Sequence, residues 1–164
     1  MIEWQQFTDY ILKNTKFDSE FIYVNNMTYA INKFILSKCT DIFNNKLIYK
    51  IDVLDIFKIN FYNYVHSSKI KNENKLIEGI TFSLHMVFKN VQINFINAPG
   101  VGISNSITYY GAINKLKLNS MITNIEYANI LTNILKQFFS TVSGVLTYTL
   151  PNGTISTTQW NGLT

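Results

Sequence analysis

The sequence predicts an α+β fold in a single domain, residues 1–164, on three observations. Apolar residues recur at helical spacing near the N-terminus and again from Met121 to Val142; between those stretches they alternate with polar residues; and a Pro-Asn-Gly turn signal lies near the C-terminal end. With 164 residues, 47% of them hydrophobic, the chain is long enough to bury a sizeable core. The expected architecture is two N-terminal helices, a mainly antiparallel sheet of four to six strands, one long helix over 121–142 and a C-terminal β-hairpin over 144–160.

Taken in order, Trp4, Phe7 and Ile11 predict a short helix over 3–14. Asp18 or Ser19 then caps a second helix, in which Phe21, Val24, Thr28, Ile31 and Ile35 share a face. The period changes at Lys46–Val53, where positions 47, 49, 51 and 53 are apolar and 50 and 52 charged; Phe57, Ile59 and Phe61 continue the alternation against Lys58 and Asn60. Two half-buried strands fit this pattern best, with a helix through 47, 51, 54, 57 and 61 as the alternative. The polar run Ser67–Lys75 reads as an exposed loop.

Ile80, Phe82, Leu84, Met86 and Phe88, then Val91, Ile93 and Phe95, alternate with more polar neighbours on either side of Lys89-Asn90 and predict a hairpin. The stretch Asn97–Ser106, with Pro99, Gly100 and Gly102, reads as a turn, and Ser106–Tyr110 as a further short strand. Ile122, Ile125, Ala128, Leu131, Leu135, Phe138 and Val142 form one stripe of the long helix, which Gly144 is expected to stop. Val145–Leu150 and Thr154–Thr158 flank Pro151-Asn152-Gly153, and Asn-Gly predicts a type I′ hairpin turn.

Several chemistries find no support. All fourteen basic residues are lysines, and a chain without arginine lacks the side chain best suited to bidentate contact with phosphates and guanine edges, against sequence-specific nucleic-acid reading. Cys39 is the lone cysteine, a buried structural thiol by expectation, so an internal disulfide or multi-cysteine zinc site is excluded. Asn97–Ser106 is not a phosphate loop: no lysine follows Gly102, and Asn105 stands where a dinucleotide fingerprint needs its third glycine. His66 and His85, with Glu73 and Glu78 between them, match no helix-borne ligand spacing. G-x-S-x-G is absent, Gly102-Ile103-Ser104 being a fragment of it, and Asp52 and Asp55 read as a charged face. The expectation is therefore no catalytic residues, no metal and no cofactor, and a protein that is not an enzyme. MIEWQQFTDY does not read as a secretory signal, and no window approaches eighteen uninterrupted apolar residues, so no membrane partner is expected.

Charge is distributed unevenly. Nine of the ten acidic residues and ten lysines lie in positions 1–78, whereas 79–164 carries only Glu126 and four lysines. Interface cores are depleted in charge and enriched in aromatics, so this half suits contact with other subunits. Trp160 and Tyr148 are its candidate contact residues, and Lys115 and Lys117 are candidates for nonspecific contact with DNA. In size, class and this low-charge half, the whole chain resembles the small virion proteins of tailed bacteriophages, the neck, tail-terminator and connector subunits. The resemblance implies a structural assembly subunit working as an oligomeric ring between head and tail. Its partners would be copies of itself and other structural proteins, and it would be made in the cytoplasm and incorporated into the virion. The alternative is a monomeric binding module whose curved sheet encloses a small apolar ligand between Phe and Tyr walls.

Overall fold

The computed structural model describes residues 1–14, 19–40, 47–49, 53–68, 73–90, 92–95, 104–109 and 124–164. The elements run α1 (Trp4–Lys13), α2 (Glu20–Ala30), a π-helical continuation (Ile31–Leu36), β1 (Leu47–Tyr49), α3 (Val53–Ser67), α4 (Glu73–Asn90), β2 (Gln92–Phe95), β3 (Ser104–Tyr109), α5 (Asn124–Thr141), β4 (Val142–Thr149) and β5 (Ile155–Asn161). Helices hold most of the described residues. That overturns the expected class, in which two N-terminal helices accompany a mainly antiparallel sheet. The strands, three to eight residues long, pair antiparallel in the order β1-β2-β3-β4-β5.

The largest departure is in the middle of the chain, where 53–61 and 80–88, expected as strands, form α3 and α4. In α3 the residues buried are Val53, Phe57, Phe61 and Val65, spaced four apart, while Ile59 is exposed; of the helical alternative's face, Phe57 and Phe61 are buried, Leu54 is half-buried and Leu47 lies in β1. In α4 the alternation misleads because apolar residues surround much of the helix and two polar ones go inside. Thr81 and Ser83 are buried, and each hydroxyl donates back to a carbonyl of the preceding turn, Thr81 to Ile77 at 3.0 Å and Ser83 to Gly79 at 2.6 Å. Back-bonding satisfies these hydroxyls without a partner from another element, so polar residues cease to mark the solvent side.

Ser19 caps α2, its Oγ accepting from the Ile22 amide at 3.5 Å; Val24, Thr28, Ile31 and Ile35 of the expected face are buried, and Phe21 is exposed. Along α5, Ala128, Leu131, Leu135 and Phe138 are buried, with Val142 immediately beyond, whereas Ile125 is exposed. Gly144 does not stop this helix. The chain passes from Thr141 directly into β4, and Gly144 is a strand residue paired with Trp160. The closing turn is also not type I′. The Gly153 amide donates to the Leu150 carbonyl at 2.9 Å, so Pro151 and Asn152 are the central residues; Pro151 fixes a negative φ, and Gly153 follows at φ +84°. This is a three-residue loop, held also by the Thr154 amide donating to Asn152 Oδ1 at 2.9 Å.

Aromatic rings link the helices through a mostly aliphatic core. Phe88 of α4 meets Phe138 and Phe139 of α5 with ring centroids at 6.0 and 5.7 Å, Trp4 of α1 lies 6.0 Å from Phe139, and Tyr23 of α2 lies 6.1 Å from Phe61 of α3. Cys39 is buried, as expected of a structural thiol. Residues 38–40 gather both chain ends: the Met1 amino group donates to the Lys38 carbonyl at 2.9 Å, and Thr40 and Thr164 exchange two backbone hydrogen bonds. No helix among the described residues is long and apolar enough to cross a membrane.

Candidate interaction surface

Among the described residues, no strand contains an acidic residue, a lysine, a histidine or a proline: the five described strands read LIY, QINF, SNSITY, VSGVLTYT and ISTTQWN. Among the described residues, every charged residue within a regular element therefore belongs to a helix. Sheet edges of soluble proteins are ordinarily blunted by lysine, proline or inward-pointing charge, and these strands carry none of those devices.

Register divides the strand residues into two sets. Paired residues of an antiparallel ladder occupy the same side, and successive residues alternate sides. The pairs Leu47↔Phe95, Tyr49↔Ile93, Ile107↔Gly144↔Trp160 and Tyr148↔Ser156 fall in one set, which includes the buried Val142. The other set holds Asn94↔Ser104, Gln92↔Ser106, Thr108↔Ser143↔Asn161 and Thr147↔Thr157, a largely polar and wholly uncharged array. Ile155 and Thr157 of this second set are solvent-exposed, Ile155 at 70%.

Of the residues singled out from sequence, Tyr148 and Trp160 thus lie on adjacent strands at positions of the same register set, four pairings apart along the hairpin. Lys115 and Lys117 fall outside the described residues, as do positions 97–103 of the expected turn Asn97–Ser106, whose last three residues open β3 instead. The residues that sequence reasoning passed over are Ile155 and Thr157, on the strand farthest along the sheet. The missing lysine or proline in Ile155–Asn161 was the available signal.

The titratable residues do not converge. His66 lies on the surface of α3, where Nδ1 donates to Glu20 Oε2 of α2 at 3.0 Å and the ring stacks on Tyr62 at 5.6 Å and 7°. Glu78 accepts from Tyr64 Oη at 2.7 Å and from Lys75 Nζ at 3.0 Å. These bonds hold the Glu78 carboxylate below its ordinary value, the Tyr64 hydrogen bond chiefly, while burial first and Glu78 second push the Tyr64 hydroxyl up to about 12. His85 is half-buried in α4. Among the described residues, no three His, Cys, Asp or Glu side chains gather as metal ligands would.

No protein-family model, curated protein or solved structure matches the chain. Besides Ile155, the surface exposes Phe21 and Ile22 of α2, with Lys58 Nζ of α3 5.6 Å from the Phe21 ring centroid and Ile59 next to it in sequence. Tyr23, beside them on α2, reaches Tyr127 of α5 through a buried hydroxyl–hydroxyl hydrogen bond.

Proposed function

We propose that the protein is a structural assembly subunit, a component of an oligomeric ring of the virion neck, tail-terminator or connector kind. The observation that carries this reading is the distribution of charge: within the regular elements of the described residues all of it is on helices and none on the strands. A surface meant to stay in water gains from interspersed charge, whereas burial of charge at an interface costs desolvation. An uncharged sheet bordered by charged helices is suited to contact with other chains through the former while the latter keep the particle soluble. The exposed apolar residues at the start of α2 and on α3 add a second patch through which other structural proteins could be held.

The test is native mass by light scattering over a wide concentration range, with negative-stain images of the same sample. A closed oligomer of defined size is the expected result. A 19 kDa monomer at every concentration, stabilised against heat by lipophilic compounds, would overturn this reading in favour of the ligand-binding module.

A further inference from the structure

The backbone of β5 carries an inference that deepens the assembly reading and rests on it. In an antiparallel ladder, alternate residues of a strand turn their N–H and C=O toward the neighbour, and the intervening ones turn theirs away. Two bonds fix which are which in the terminal hairpin. The Leu150 amide donates to the Thr154 carbonyl at 2.8 Å, and the Gly162 amide donates to the Val142 carbonyl at 2.7 Å. With the pairing Leu146↔Thr158 between them, the even-numbered residues 156, 158 and 160 face β4. Ile155, Thr157, Gln159 and Asn161 therefore direct their amides and carbonyls away from β4. Among the described strands β5 pairs with β4 alone, so these groups lie along the outer edge of the sheet.

We infer that this edge pairs antiparallel with β5 of a second copy of the chain, about a two-fold axis passing beside Thr158. That register matches Ile155 with the second copy's Asn161, and Thr157 with its Gln159, each in both directions. All four outward residues then exchange bonds, about eight backbone hydrogen bonds in total, and slipping the register by two residues loses some of them. The even residues fall into line as well: Thr158 opposes Thr158, and Ser156 opposes Trp160. No like charges meet, because the strand has none. This two-fold fuses two five-stranded sheets into one, and the absence of charge on β5 lets the strand meet its own copy without repulsion.

The parity supplies the test. A proline at 157 removes an amide that faces outward and leaves the β4–β5 bonds intact, so Thr157→Pro is expected to fold with an unchanged melting curve. It should halve the native mass measured by light scattering, at a concentration where the wild-type chain is paired. Should the proline disturb folding, charge answers the same question. Thr157→Lys with Gln159→Lys sets like charges against each other across the axis and should also halve the mass. Thr157→Lys with Gln159→Glu sets opposite charges against each other and should restore it. A wild-type oligomer whose mass neither pair of substitutions changes overturns the edge pairing and leaves the assembly reading standing. A wild-type mass that stops at two chains and responds to the variants upholds the pairing and counts against the ring. Open-ended aggregation with no step at two chains, or a monomer throughout, overturns the pairing.

Discussion

The helices and the strands of this protein are specified by different physics. Each helix is fixed by what it buries: Phe57, Phe61, Phe88 and Phe139 are inaccessible to solvent, and the charges lie around them on the outer turns. The strands are fixed by whom they pair with, through hydrogen bonds and register, and carry no charge. Burial saturates within one chain, whereas an edge of hydrogen-bonding groups does not. Changes in the helices should therefore alter stability at constant native mass, and changes at the outer edge of β5 should do the reverse.

The sharpest contrast comes from Phe57→Ala, which empties a fully buried site on α3 beside Phe61; it is expected to cost about 3–5 kcal/mol, a fall in Tm on the order of 10 °C, with the mass of the folded fraction unchanged. A mass that fell with it would break the separation. Gly79→Ala is next. Alanine ordinarily strengthens a helix, but here the added Cβ would lie 2.9 Å from Tyr64 Cδ1 and 3.1 Å from the Phe61 ring, so a net loss of about 1–3 kcal/mol is expected in urea unfolding. Tyr23→Phe deprives the fully buried Tyr127 hydroxyl of its partner on α2 and should cost about 1–3 kcal/mol. The double change with Tyr127→Phe should recover most of that, a non-additivity that a double-mutant cycle reads directly.

Alkaline titration gives a smaller effect. Burial, the leading cause in each case, raises the hydroxyls of Tyr23, Tyr64 and Tyr127 above the ordinary 10.0. The unfolded chain thus ionises first, so these groups contribute stability that is complete below pH 10 and declines as pH climbs through their raised values. Unfolding followed from pH 9 to 12 should show this decline, and it should be shallower in the Tyr23→Phe, Tyr127→Phe double variant. Smallest is Ser19→Ala, where a cap bond of 3.5 Å places the loss near 0.5 kcal/mol.

The same contrast explains what could be read beforehand. Trp4, Phe7 and Ile11 announced α1, and the Ala128–Phe138 stripe announced the body of α5, because each has one apolar side at period 3.6. In α3 and α4 apolar residues occur nearly all round, and Thr81 and Ser83 are buried on their own back-bonds, so period two appeared where there was no strand. Pro151-Asn152-Gly153 marked a turn, but the dipeptide Asn-Gly suggested the wrong one because Pro151 takes a central position. Tyr148 and Trp160 were visible as large residues in an uncharged stretch; that they share a register set required the ladder. The outward parity of Ile155 and Thr157 was invisible to sequence, since it depends on which backbone groups β4 already engages.

The meeting of both ends at residues 38–40 has a topological consequence. Met1 and Thr164 are held within two residues of one another along the same turn, so a short linker joining them would span a gap the fold already closes. The chain is in effect a loop with an arbitrary opening. Cut instead at the exposed Asn152-Gly153 tip, it would keep its order of packing while β5 became the leading strand. Such a circularly permuted chain would leave residues 1 and 164 buried in a linker and move any appended domain to the far end of the terminal hairpin.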